Sequence, residues 1–214
     1  MSLAWAEAAK LREVVIDAGA QFEAGVDVGG PGEDETVVYL RSGSHIVGMH
    51  AFADADARGS IAAVLGPVKA RLRAVYVDEI GIGYHVMTHL RDLGFPVRGV
   101  NVGNQARDSE RFANLKAELY WGLRERFERG DIAGVTDERT IAQLTGIQWR
   151  ANASGQTVIE SKEAARKRGV KSPDRAEALM LAFCPTVDSF AAVPGVRRTR
   201  DSIGSHRYGG KIGV

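Results

Sequence analysis

The order of its β-rich and helical runs constrains this chain more than any other feature. Three β-rich runs, residues 22–28, 36–40 and 45–52, are separated only by turns: a glycine-rich GGPGEDE and then Ser42-Gly43-Ser44. Runs this close can pair only as an antiparallel meander, because parallel partners need a crossover of a dozen residues or more. Past residue 60 the pattern alternates. The spacing predicts a helix over 60–73 with Gly66-Pro67 as a kink, a strand over 74–77, a helix over 84–93 closed by Gly94, and a strand over 96–100. The longest helical stripe spans 109–129, with Phe112, Leu115, Leu119, Leu123 and Phe127 on one face and Gly130 at its end. A helix over 138–144, a hairpin of 147–152 with 157–160 about Ser154-Gly155, and a helix over 173–183 stopped by Pro185 complete the order. A leading amphipathic helix is expected over 3–18, carried by Leu3, Ala8, Leu11, Val15 and Ile16. A meander followed by helix–strand alternation predicts an α/β domain with a mixed sheet flanked by helices.

Three carboxylates stand out against this frame. Asp27 lies in the apolar run Gly25-Val26-Asp27-Val28, Asp78 ends the run Val75-Tyr76-Val77, and Asp174 opens the last helix after Ser172-Pro173. A charge inside an apolar strand costs several kcal/mol unless it is paired or metal-bound. One such Asp fits a structural ion pair; two on different short strands point to a shared acidic centre. Asp174 alone also fits a helix start, with Ser172 as N-cap and Pro173 at the first position. Oxygen-only donor sets suit Mg²⁺ or Mn²⁺. Asp34, in the loop after the first strand, is a candidate outer ligand, with turn chemistry as its alternative. Glu79 is another, but its side chain and that of Asp78 leave a continuing strand on opposite faces, so only one can belong to the centre.

Competing chemistries lack their motifs. Gly25–Gly30 is followed by a strand rather than a helix, so it is not a dinucleotide fingerprint. No Walker-type phosphate loop, serine nucleophile elbow or His-Glu-x-x-His occurs, and the single Cys184 rules out an internal disulfide or a cysteine-based zinc site. His85 and His89, four apart on a helix, fit packing or surface positions. No apolar run approaches the roughly 20 residues of a membrane span, and no signal peptide is visible. At 214 residues the core needs no disulfide or structural metal to hold it.

The formal net charge of +1 conceals an uneven distribution. Residues 161–175 carry net +4, residues 191–214 another +4, and the rest of the chain −7. Two basic stretches on an acidic body are a footprint for a polyanion, although a solvated helix face and a flexible tail would carry the same charges.

With these residues located, the chain resembles the C-terminal nuclease domain of large terminase subunits of tailed bacteriophages or prophages, within the RNase H-like, retroviral-integrase superfamily. Four segments carry the likeness: Gly25-Val26-Asp27-Val28-Gly29 with Asp34-Glu35-Thr36; Val77-Asp78-Glu79-Ile80-Gly81-Ile82-Gly83; Phe112-Ala113-Asn114-Leu115-Lys116-Ala117-Glu118; and Glu160-Ser161-Lys162 through Lys171-Ser172-Pro173-Asp174-Arg175-Ala176-Glu177-Ala178-Leu179. The likeness covers about residues 21–184. It implies a metal-dependent endonuclease that cuts concatemeric viral DNA during packaging in the bacterial cytoplasm. Asp27, Asp78 and Asp174 become the catalytic, metal-binding acids of two Mg²⁺ or Mn²⁺ ions. Where the family often has Asp this chain has Glu177, for which packing one helical turn on is a sufficient account. Lys162, Arg166, Lys167, Arg168 and Lys171 would approach the DNA backbone. Trp149 and Arg150 on the hairpin are further candidates for DNA contact, although a core-packing Trp149 is the expectation.

The same resemblance implies partners: double-stranded DNA, a terminase ATPase domain, the small terminase subunit and the portal. The expected layout is a linker helix over 1–20, the nuclease over 21–186 and a flexible basic tail over 187–214. Because the chain lacks a P-loop, it reads as an excised domain or a shortened prophage product. Rival readings are a RuvC-like Holliday-junction resolvase, a kinase or actin-like fold for which the chain is too short, and a non-enzymatic docking domain whose tail binds the portal or packaging partners.

Overall fold

Alternation along the strands builds two cores, one on each face of a sheet. The structure, a computed structural model, describes residues 1–30, 34–53 and 56–185. Strands β1 (Phe22–Asp27), β2 (Thr36–Ser42), β3 (His45–Phe52), β4 (Leu72–Asp78) and β5 (Val97–Val100) form one sheet in the order β3-β2-β1-β4-β5. β1, β2 and β3 pair antiparallel as the meander; β4 joins β1, and β5 joins β4, in parallel. This is the mixed sheet that the segment order predicts.

On one face Ala24, Val26, Val38, Val75 and Val77 pack with Ile61 and Leu65 of α2 (Ala57–Leu65) and with Val86 and Leu90 of α3 (Ile82–Asp92). On the other, Val37, Tyr39, Ala74 and Tyr76 meet α1 (Leu3–Leu11), α4 (Leu115–Arg129), α5 (Glu138–Gly146) and the buried α7 (Asp174–Ala182). Gly25 lies under α7, where a Cβ would strike the backbone of Ala178 and Ala182. The close approach is possible only because residue 25 has no side chain. A second, two-stranded sheet pairs β6 (Trp149–Ala151) with β7 (Thr157–Ile159), followed by the short α6 (Lys162–Lys167).

Several boundaries differ from the periodicity. The leading helix ends at Leu11 rather than 18, and Arg12 turns extended to donate to Ile132 O at 2.8 Å. Leu11, Val15 and Ile16 are exposed, so the apolar stripe of this segment has no core to face. α4 starts at Leu115, not 109. Asn114 caps it by accepting from Ala117 N at 3.0 Å, and upstream the Arg111 carbonyl accepts from Thr157 N while Ala113 N donates to Thr157 O. The 60–73 run begins at Ala57, capped by Asp56, and tightens at Gly66 into a 3₁₀ turn through Arg71 containing Pro67. β4 consequently starts at Leu72. Ser172 does not cap α7; Pro173 holds that position and no side chain caps it. Trp149 is about half exposed and stacks edge-on against Trp121, so it is not the core residue expected of it.

Met1–Cys184 form one compact unit in which α1 buries Ala6 and Ala9 against the α4 and α5 side. The basic tail expected over 187–214 lies outside the described residues. Among the described residues no helix is long and apolar enough to cross a membrane.

Candidate active site

The period of two along β1 and β4 decides where the acids go. Val26 and Val77 are register partners and pack on the α2–α3 face. The next residues, Asp27 and Asp78, therefore leave adjacent parallel strands at their carboxyl ends toward the opposite face. There α7 brings Asp174 and, one turn later, Glu177. Glu79 goes the other way and lies against Gly99 beside Met87. Asp34 stands at the rim with its carboxylate 3.8 Å from the Arg166 guanidinium.

Each acid has a distinct environment. Asp27 is buried, and its pKa is pushed well above the ordinary carboxylate range, first by loss of water and then by the charges of Glu177, Asp174 and Asp78. Asp78 is raised by burial, opposed by the Ile80 N–H that it accepts at 3.1 Å. Asp174 is raised by burial too, although it accepts the Glu35 N–H at 3.1 Å. Glu177 moves down. Burial opposes its charge, but Lys116 Nζ at 2.5 Å and Lys162 Nζ at 2.7 Å outweigh that cost. The two lysines favour the charged form of Glu177, while burial and the neighbouring acids push Asp27 the other way. Burial also works against the Lys162 ammonium, but Asp27 and Glu177 hold it protonated; it lies 3.9 Å from Asp174.

Sequence reasoning gave Lys116 no role and left Glu177 to packing; the structure brings both, with Lys162, to the acids. The Glu177 position follows from i, i+3 spacing after Asp174 on one helix face. Lys162 was expected on DNA and instead faces the acids; nothing in its local sequence signals that return. The other expected DNA contacts also have protein partners or places: Lys167 pairs with Glu163 at 3.0 Å, Arg168 forks onto Glu160 at 2.8 and 2.5 Å, and Lys171 lines the cleft beside Asp174. That cleft is open, about 990 Å³, and also carries Asp34, Glu35, Arg139 and Arg166.

Among the described residues no three His, Cys, Asp or Glu side chains form a ready-made metal cage. The ammonium of Lys162 stands among the acids instead. Even so, the donor set fits a hard divalent cation. Four carboxyl groups face two ammonium groups, an excess of negative charge that a divalent cation would offset, and burial together with the neighbouring acids pushes Asp27 up. Asp27, Asp78 and Asp174 are the residues that could hold the ion.

Comparison with known proteins identifies the fold. The nuclease domain of the large terminase subunit gp2 of bacterial virus Sf6 superposes with a TM-score of 0.68 at 19% identity, over 87% of this chain and 99% of that one. The chain has the terminase-nuclease fold. The large terminase nuclease of thermophilic phage G20c, solved with bound magnesium, matches with a TM-score of 0.62 at 17% identity over 85% of this chain and 95% of that one. The Sf6 domain has been solved with manganese, and the G20c nuclease also with cobalt. No protein-family model matches the sequence, and no curated protein matches it. The fold is RNase H-like, as the resemblance read from the sequence implies.

Proposed function

We propose that the chain is a divalent-metal-dependent DNA endonuclease that cuts viral DNA during genome packaging. One observation carries this proposal: Asp27, Asp78 and Glu177-flanked Asp174 converge at the carboxyl ends of β1 and β4, on a fold shared with terminase nucleases. Asp27, Asp78 and Asp174 hold the metal. A pair of Mg²⁺ or Mn²⁺ ions, once bound, supplies a water activated near neutral pH and offsets charge on the phosphate.

The chain's own residues do the rest. Burial of Asp27 keeps solvent away from the deepest ligand, and Lys116 holds Glu177 in place behind it. Arg166 and Lys171 line the cleft beside Asp174 and guide the DNA backbone, with Lys167 and Arg168 on the same basic segment and Lys162 turned onto the acids. Backbone contacts of this kind give affinity with strong salt dependence and little sequence choice. The catalytic body is residues 21–186, preceded by the segment 1–20, whose helix α1 packs onto that body, and followed by a basic tail over 187–214. Its partners are double-stranded DNA, an ATPase motor, the small terminase subunit and the portal, in the bacterial cytoplasm.

The test is cleavage of supercoiled plasmid, linear duplex and a four-way junction with Mn²⁺, Mg²⁺ or EDTA. The proposal expects plasmid and duplex to be cut only with metal, and Asp78→Asn to lose the activity while still binding DNA. Cutting confined to the junction assigns the chain to the resolvases instead. Undiminished cutting by Asp78→Asn overturns the site.

A further inference from the structure

All nine residues of α7 are buried, and one of them is an arginine. A buried guanidinium is costly unless every donor is used, and an apolar side chain of similar volume stabilises such a position as well or better. Arg175 therefore calls for an explanation beyond packing. Its donors are spent on two carboxylates. Nε and Nη2 fork onto Glu35 at 2.9 and 3.0 Å, and Nη1 reaches Asp137 at 2.7 Å.

Both partners are themselves fixed. Asp137 caps α5 by accepting Thr140 N and Oγ1, each at 2.7 Å, and Thr140 Oγ1 meets the Tyr39 hydroxyl of β2 at 2.6 Å. Glu35 also accepts from Arg139 at 2.9 Å. The backbone of Glu35 turns to the other side: its N–H donates to Asp174 Oδ2. Two consecutive residues of α7 thus hold Glu35: the Arg175 guanidinium grips its carboxylate, and the Asp174 carboxylate accepts its backbone N–H.

We propose that Arg175 is a positioning residue of the acidic centre: through its fork on Glu35 it aims the Glu35 N–H and thereby fixes the Asp174 carboxylate, together with the loop that carries Asp34. The planar guanidinium is needed because only a fork fixes Glu35 in rotation as well as in distance; a lysine supplies charge without that constraint. Residues that orient a metal ligand without touching the metal are commonly worth 10–100-fold in metal affinity. The link to metal binding rests on the nuclease proposal; the link from Arg175 to Asp174 does not.

The experiment uses the full 214-residue chain. Amide hydrogen exchange of Glu35 is followed by NMR without metal, and Mn²⁺ affinity is measured by titration with EPR detection of free ion. Arg175→Lys and Glu35→Gln are expected to speed exchange at residue 35 at least tenfold while the β1 and β4 core amides stay protected. Both are expected to weaken Mn²⁺ binding about 10–100-fold. The double variant should be no weaker than the worse single one, since both act on one link. A folded Arg175→Lys chain with wild-type protection at residue 35 and wild-type Mn²⁺ affinity overturns the proposal. If Arg175→Lys fails to fold, Glu35→Gln alone decides by the same two readouts. If the wild type binds no Mn²⁺, the nuclease proposal fails, and exchange at residue 35 still decides the role of Arg175.

Discussion

Replacing Asp27 with asparagine removes a charge and almost no volume, from a side chain that is 6% exposed. Burial and three neighbouring acids raise its pKa, so ionised Asp27 opposes folding. For an acid shifted this way the penalty is complete above the folded pKa and fades as pH falls toward the ordinary value of 3.8. The expected gain is about 1–2 kcal/mol, the upper part of the range common for single stabilising substitutions. In a chain of this size each kcal/mol moves the melting midpoint by about 2–4 °C. Asp27→Asn without metal should therefore melt about 2–8 °C above wild type at pH 8, and the gap should close on approach to pH 4. Mn²⁺ should reverse the order. At 100 times its dissociation constant a ligand adds about 2.7 kcal/mol to the protein that binds it, and the variant should gain far less. Scanning calorimetry or fluorimetry across pH 4–8, with EDTA or Mn²⁺, checks each step. A variant that melts below wild type at pH 8 in EDTA, or a gap that does not change with pH, refutes the reasoning.

Two further outcomes follow from the packing around the site. Gly25→Ala drives a Cβ into the backbone of Ala178 and Ala182, where neither chain can yield, and should cost about 3 kcal/mol or more; urea denaturation at neutral pH measures it, and a cost below about 1 kcal/mol means that α7 does not press on β1. Arg175 holds the Glu35 carboxyl below its ordinary 4.5, so this contribution to stability is complete above that pH and disappears as pH falls through the depressed value. The stability gap between wild type and Glu35→Gln should accordingly be constant from pH 6 to 8 and vanish in acid; a gap that widens in acid contradicts the assignment.

Much of the site is legible in the sequence because strand geometry is periodic. Once 22–28 and 74–77 are read as neighbouring strands, alternation places Asp27 on the face of Gly25 and Asp78 on that of Tyr76, and it turns Glu79 away. Asp174 needs only its place at the head of an apolar helix. What periodicity does not give is the path of loops. Lys162 comes back onto the acids because the β6–β7 hairpin turns the chain there, and its local sequence looks like any solvated basic helix. Glu35 reads as one more acid in a polar turn; its hold on Asp174 exists only once α7 has docked. The helix starts show the same limit. Phe112 continues the stripe of α4, yet Asn114 caps the helix after it, and Thr157 pairs with the backbone of Arg111 and Ala113 on either side of it. Val15 and Ile16 keep helical spacing but have no core to face. Periodicity reports which residues could share a face, not whether that face finds a partner.

The most direct measurement of the central claim is anomalous diffraction from a crystal of the chain soaked in Mn²⁺. The account predicts anomalous density among Asp27, Asp78 and Asp174, with carboxylate oxygens at about 2.0–2.2 Å and the Lys162 ammonium moved away from Asp174. Density at other sites on the molecule, with these three acids bare and Lys162 still among them, contradicts it.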